Sequence, residues 1–209
     1  MSRIPLKNAA DVETMRASCR MSAEVLQSVA AEVKASVTTA ELDEMARVII
    51  AKMGAKPSFL GYHGYPAAMC ISINDEVIHG IPQAREIRSG DLVSLDVGVY
   101  YKGFHGDNAT TVMVGVVEPD AIRLVEATRR ALQQGIAAVK PGGRLSDISH
   151  AVECAARASG CSVVRQFVGH GVGRHLHEEP QVPNYGLPGK GPVLQPGMTL
   201  AIEPMVNLG

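Results

Sequence analysis

Apolar residues recur with a helical period from the start of the chain. Val12, Met15, Cys19, Leu26, Val29 and Val33 fall on one stripe, which predicts an amphipathic helix over residues 8–34. Thr38-Thr39-Ala40-Glu41 reads as a capping box, with the Glu41 carboxylate able to reach back to the cap amide. It opens a second helix through Leu42, Met45, Val48 and Ile49 that stops at Gly54. Met15 and Met45 lie on these stripes and are read as core. The stretch PSFLGYHGYPAAM is rich in Gly, Pro and Tyr and marks an irregular loop. Strands are expected over residues 70–73, 92–100 and 104–117. A second helical pair follows over 119–139 and 146–158, and the Gly- and Pro-rich final third reads as strands and loops.

The order helix pair, strands, helix pair, strands is a repeat. A slide of 106 residues lays Val33-Lys34 on Val139-Lys140, Leu42 on Ile148 and Gly54 on Gly160. With one further residue of shift, SGDLVSLD (89–96) lies over PGMTLAIE (196–203), which puts Asp96 and Glu203 at the same point of two strands. The expected architecture is α+β, a single domain over 1–209 with two pseudo-symmetric halves, about 8–117 and 118–209. In the first half the strand holding Asp96 turns and returns with Asp107. Only six residues follow Glu203, so the second half is expected to lack its return strand.

Composition narrows the class. With 46% hydrophobic and 20% charged residues the chain is ordinary globular protein. A net charge of −1 gives no reason to expect nucleic acid as a partner. No apolar run approaches the roughly 18 residues of a membrane helix, and MSRIPLKNAADVETMR is too polar for a signal peptide. Cys19, Cys70, Cys154 and Cys161 form no CxxC pair and match no zinc or disulfide spacing. They read as reduced thiols, three of them expected buried, in a cytoplasmic protein.

Chemistry concentrates in a few places. With a turn centred on Tyr101-Lys102, Asp96 and Asp107 would stand directly opposite each other across a hairpin, with Cβ atoms roughly 4.5–5.5 Å apart. Two carboxylates there repel unless a cation lies between them. Glu203, at the end of the apolar Leu200-Ala201-Ile202, is a third candidate ligand through its repeat equivalence to Asp96. His170 stands between glycines in FVGHGVGR, where the backbone can approach closely. Three carboxylates and one imidazole suit a dinuclear Mn, Fe, Co or Zn site better than a calcium site. His79 and His177 follow apolar residues and precede turns, so either could orient a substrate or stabilise an oxyanion. His63, His105, His150 and His175 read as surface or loop residues. Nucleotide-binding, HExxH and GxSxG motifs are absent.

The strings GYHGYP, CISIND, HGIP, SLDVG, FHGDNATT, VGHGVGRHLHEEPQVPN and AIEPM, in this order and spacing, make the chain resemble the type I methionine aminopeptidases. The resemblance covers essentially the whole chain and implies the pita-bread fold of two pseudo-symmetric halves. The 33-residue step from His170 to Glu203 leaves no room for the helical insertion of the type II enzymes, and the absence of a long N-terminal extension matches the short bacterial form.

Carried over motif by motif, Asp96 and Asp107 resemble ligands of a first metal, with Asp107 bridging to a second that His170 and Glu203 would hold. His79 and His177 match histidines at the scissile amide, and Glu203 is the candidate proton shuttle. Tyr62, Tyr65 and Cys70 match the pocket for the methionine side chain. Leu176 stands where the family usually has Phe, and Phe59 where it usually has a small residue, often Cys. The family's last bridging glutamate would lie beyond residue 209.

The resemblance implies removal of the N-terminal methionine from nascent proteins and peptides by a water that two divalent ions (Co, Mn, Fe, Zn or Ni) activate. Its implied setting is a monomer in the cytoplasm with peptide or nascent-chain substrates and the ribosome as a further partner, without nucleic-acid or membrane binding. Two alternatives stay open: an impaired fragment or degenerate paralogue of this fold, and a related peptidase acting before proline.

Overall fold

Helix α1 covers Ala9–Glu32 and α2 covers Thr39–Lys52 in a computed structural model that describes residues 4–208. The capping box forms as expected. The Thr38 amide donates to Glu41 Oε2 (2.7 Å), and the Glu41 amide donates to Thr38 Oγ1 (3.2 Å). Helix α1 buries Met15, Leu26 and Val29 of the apolar stripe together with Ser18, Ser22 and Val25, while Val12, Cys19 and Val33 of the stripe are half-buried. Close approach of a strand explains the serines. A Cβ on Gly106 would lie 2.5 Å from the Ser18 carbonyl oxygen, so only small side chains fit along this contact. Asn108 then donates to Ser22 Oγ (2.5 Å), and Ser18 Oγ donates to the Tyr101 carbonyl (3.2 Å).

Two compact units make up the chain. The first comprises Ala10–Glu118 and Gly173–Leu176. Its strands are β1 (Lys56–Pro57), β2 (Met69–Ile73), β3 (Leu92–Tyr101) and β4 (Phe104–Met113), and β3 pairs antiparallel with each of the other three. Val25 and Val29 of α1 and Leu42, Ala46 and Ile50 of α2 pack on Ile71, Ile73, Val93, Leu95 and Val97 of the sheet.

Strand β4 ends at Met113, four residues before the expected end. Val114 instead bonds back to the turn at 90–91, its amide on the Asp91 carbonyl and its carbonyl on the Gly90 amide. The apolar run continues to Val117, but Val116 is 89% exposed, so hydrophobicity alone overextends the strand.

The second unit comprises Met1–Ala9, Pro119–Val172 and His177–Gly209. It holds α3 (Pro119–Ala137), α4 (Leu145–Ala158), β5 (Cys161–Val163), β6 (Gly169–Gly171), β7 (Glu178–Val182), β8 (Leu200–Ala201) and β9 (Val206–Leu208). Strand β6 lies between β7 and β8, and β5 pairs with β9. Leu145, Ile148, Val182 and Leu194 form its core, with Met198, Leu200 and Ile202 against them.

The internal repeat extends to hydrogen-bond register. Pro57 pairs with Val99 in the first unit, and Val163 with Val206 in the second, offsets of 106 and 107. Thr38 bridges to Glu86 and Arg144 to Val193, with the same two offsets. Asp147 stands in for Glu41, its carboxylate accepting from the Arg144 amide at 2.8 Å.

Two expectations about single residues are corrected. Two cysteines rather than three are buried, Cys70 and Cys161, because Cys19 lies half-exposed on α1 and Cys154 faces outward on α4. His105 belongs to β4 and His150 to α4 rather than to loops. Among the described residues no helix is long and apolar enough to cross a membrane.

Candidate metal centre

The β3–β4 hairpin sets the two aspartates, in a register different from the expected one. Tyr101 pairs with Phe104, so the turn is Lys102-Gly103, and Asp107 faces Gly98 while Asp96 faces Ala109. Lys102 and Gly103 both take positive φ, 47° and 88°. That is the two-residue hairpin turn whose twist matches the flanking strands, and Gly meets its demand better than Tyr101 would. Asp96 and Asp107 are therefore diagonal neighbours on one face of the sheet, roughly 7–8 Å apart rather than opposed. The diagonal lowers their repulsion while leaving both carboxylates on that face.

Cys70 pairs with Asp96 across β2 and β3. Burial, and then the Asp96 carboxylate, push its thiol up to about 12, with Asp107 adding to the rise. Cys70 is thus a neutral, apolar wall at neutral pH. It clusters with Phe59 and Leu176, all three buried, and Tyr62 and Tyr65 pack against them. Tyr65 Oη lies 3.2 Å from the Met69 carbonyl and 2.9 Å from the Gly80 carbonyl. Burial raises its phenol above the usual range, with Cys70, Asp43 and Asp96 adding to the rise. Asp43, buried on α2, accepts from the Ala68 and Met69 amides at 2.8 and 2.9 Å and fixes where β2 begins.

His79 is exposed and takes φ of 59°. A bulky residue rarely adopts that conformation, which costs on the order of 1–3 kcal/mol and concentrates at functional positions. Gly80 holds it there. The Gly80 carbonyl accepts from the Ile71 amide (2.9 Å), and a Cβ on Gly80 would lie 2.3 Å from the Ile71 oxygen.

His170 occupies the middle of the three-residue β6. A Cβ on Gly169 would lie 2.3 Å from the Ala201 oxygen, and one on Gly171 would lie 2.3 Å from the Glu179 oxygen. Both glycines therefore admit neighbouring strands too close for any side chain. His170 Nδ1 is 2.8 Å from the Gly171 carbonyl, which can only accept, so Nδ1 carries the proton. In the neutral ring Nε2 then presents a lone pair, and Nε2 faces Glu203 Oε1 at 3.1 Å. Two acceptors at that distance require a proton or a cation between them. The His177 ring, exposed, lies 4.2 Å from the His170 ring centroid to centroid.

Within the second unit, His170 and Glu203 each offer one donor atom, and the two atoms lie 3.1 Å apart. Carboxylate oxygens with an imidazole nitrogen fit a divalent transition metal. The Nδ1–H to carbonyl bond on His170 is the outer support such ligands carry.

Several residues that shape the site have no local sequence signature. Asn184, 1% exposed, donates to the Glu203 carbonyl at 2.7 Å. His105 Nδ1 bonds Ser58 Oγ at 2.8 Å, and Arg174 pairs with Asp11 (2.9 Å) over the Phe104 ring. Lys7 pairs with Glu178, 171 positions away, at 2.5 Å. Their sequence separations carry no periodicity; the Asp43–Arg47 pair at helical i,i+4 spacing is the kind that could be found.

A sheet with paired helices in each unit and a carboxylate–imidazole cluster define a metallohydrolase of the pita-bread fold. The chain belongs to metallopeptidase family M24, whose model matches residues 13–209. It is 46% identical over 203 residues to Methionine aminopeptidase 1 of Bacillus subtilis, covering 97% of this chain and 82% of that protein. Methionine aminopeptidase 1 of Mycobacterium tuberculosis is 45% identical, with 99% and 80% covered. The crystal structure of methionine aminopeptidase from Thermotoga maritima superposes with a TM-score of 0.97 at 43% identity, covering 99% of this chain and 84% of that one. Prolidase from Pyrococcus furiosus shares the fold, with a TM-score of 0.81 at 23% identity.

Proposed function

We propose that this chain is a methionine aminopeptidase that removes the N-terminal methionine from peptides and nascent proteins in the cytoplasm. One observation carries most weight: His170 Nε2 and Glu203 Oε1 converge at 3.1 Å, with His170 Nδ1 held by the Gly171 carbonyl. Asp96, Asp107, His170 and Glu203 are the proposed ligands of two divalent ions. Bound there, such ions would supply a water acidic enough to attack near neutral pH and would polarise the scissile carbonyl.

The chain's own groups do the rest. Phe59, Tyr62, Tyr65, Cys70 and Leu176 form an apolar slot suited to an unbranched thioether side chain. His177 donates a hydrogen bond to the developing oxyanion. Glu203 takes the proton of the attacking water and passes it towards the leaving nitrogen, where His79 stands. The strained backbone at His79 and the pairing of the buried Cys70 with Asp96 support these places for the amide and the side chain.

The test is hydrolysis of Met-Ala-Ser and of Ala-Pro by metal-free protein titrated with Mn²⁺ or Co²⁺. Metal-dependent release of methionine, with Ala-Pro left intact, is expected. Cleavage of Ala-Pro in preference would make the chain a proline-directed peptidase. Failure to bind either ion and to cleave either peptide would leave a non-catalytic relative of the family.

A further inference from the structure

We propose that Asp43 is a positioning residue of the side-chain pocket: it holds the segment between Tyr65 and Cys70, and so sets the width of the slot and its preference for an unbranched side chain. The inference rests on the proposed aminopeptidase activity. It concerns a helix residue that belongs to neither the donor set nor the pocket lining.

Tyr65 and Cys70, both at the pocket, are joined by Pro66-Ala67-Ala68-Met69. Ala67, Ala68 and Met69 are each 4% exposed or less, so their backbone must find its hydrogen bonds within the protein. Asp43, itself 6% exposed, supplies two of them: Oδ1 accepts from the Ala68 amide at 2.8 Å and from the Met69 amide at 2.9 Å. Consecutive amides converge on one atom only where the chain bends, since along a pleated strand they point alternately to either side. The carboxylate therefore holds the bend before β2 and the phase in which Cys70 enters the strand. A slip of one residue would turn Cys70 to the other face of the sheet.

The second carboxylate oxygen extends this hold to Tyr65. Asp43 Oδ2 accepts from Arg47 Nε at 2.7 Å, one turn along α2, and Arg47 Nη2 donates to the Pro66 carbonyl at 3.0 Å. Pro66 in turn confines Tyr65 to extended backbone, with φ −62° and ψ 130°. The Tyr65 ring reaches back along the same segment, its Oη 3.2 Å from the carbonyl of Met69, whose amide Asp43 holds. One carboxylate thus governs the backbone on which two pocket side chains stand. Their separation is a dimension of the slot, and in an apolar pocket a difference of one methylene is worth about 10- to 200-fold in kcat/KM.

The experiment measures kcat/KM for Met-Ala-Ser and for Leu-Ala-Ser with wild type, Asp43→Ala and Asp43→Asn. The ratio of the two values does not depend on how much of the protein is folded, so a residue that served stability alone would leave it unchanged. Asp43→Ala is expected to lower the preference for Met-Ala-Ser on the order of tenfold. Asp43→Asn keeps an oxygen for the two amides and should stay within about threefold of wild type. A wild-type ratio in Asp43→Ala overturns the proposal, and so does a loss in Asp43→Asn as large as that in Asp43→Ala. If Asp43→Ala does not fold, Arg47→Met, which removes the hold on Pro66 at a partly exposed site, takes its place. A ratio lowered about threefold then supports the proposal, and an unchanged ratio overturns it. A wild type that cleaves neither peptide refutes the aminopeptidase reading instead, and iodoacetamide labelling decides for Asp43. Faster labelling of Cys70 in Asp43→Ala, with the buried Cys161 of the second unit unchanged, supports the hold on the pocket wall; equal labelling of Cys70 overturns it.

Discussion

His170 Nε2 and Glu203 Oε1 face each other at 3.1 Å, with the other ring nitrogen of His170 committed to the Gly171 carbonyl. A divalent ion held by the neutral imidazole and the carboxylate would replace a shared proton there. Mn²⁺ or Co²⁺ at a hundred times its dissociation constant should stabilise the fold by about 2.7 kcal/mol. His170→Ala and Glu203→Gln should lose most of that gain and most peptidase activity. Thermal melts with and without metal, read beside calorimetric titration, check this; an undiminished metal-induced shift in His170→Ala would remove His170 from the ligand set.

Asn184 holds Glu203 from the backbone side. Asn184→Ala leaves the Glu203 carbonyl without this partner in a nearly closed environment, at a cost of about 1–3 kcal/mol. Because the bond aims Glu203 rather than touching substrate, kcat should fall more than KM rises. Steady-state kinetics and urea denaturation separate the two effects, and a variant with raised KM and wild-type kcat would contradict this role.

Cys70 carries a thiol pushed up to about 12 by burial and by Asp96, so it stays protonated throughout the neutral range. Iodoacetamide at pH 8 should label the exposed Cys154 first and leave Cys70 untouched while the protein is folded. Peptide mapping by mass spectrometry reports the order, and early modification of Cys70 would mean that the pocket is open to solvent.

Both helix pairs carry an acid-sensitive cap. The Thr38 amide and hydroxyl hold Glu41 below the usual carboxylate range, and the Arg144 and Gly189 amides hold Asp147 below it. A depressed folded-state pKa contributes stability that is full above the unfolded value, about pH 4, and is lost as pH falls through the folded value. Glu41→Gln and Asp147→Asn should therefore lower the melting temperature at pH 7 and converge with wild type in strong acid. Thr38→Ala should cost about 1 kcal/mol at neutral pH. Equal deficits at both pH extremes would exclude the caps as the cause.

Helices and caps are legible in the sequence because their signals are local. The stripe ending at Gly54 and the Thr38–Glu41 box need no distant partner. The repeat is legible too, since its 106-residue offset survives in hydrogen-bond register at Pro57 and Val163. Hairpin register is not: it depends on which two residues tolerate positive φ, and Lys102-Gly103 moved Asp96 away from the position facing Asp107. Nor are Ser18 and Ser22, which α1 buries beside Met15, Leu26 and Val29 because the backbone at Gly106 approaches there. Asn184 and Lys7 elude sequence reading for a further reason. Their partners, Glu203 and Glu178, are set by tertiary packing, and a single polar residue in a loop carries no trace of it.

The crowding on either side of His170 bears on inhibition. Positions 169 and 171 exclude even a methyl group, since each would meet a carbonyl oxygen at 2.3 Å. A drug that drew its affinity from this histidine would therefore face little room for resistance along β6. Escape variants would have to arise in the side-chain slot, at residues such as Phe59 and Leu176, where size can change without breaking a backbone contact.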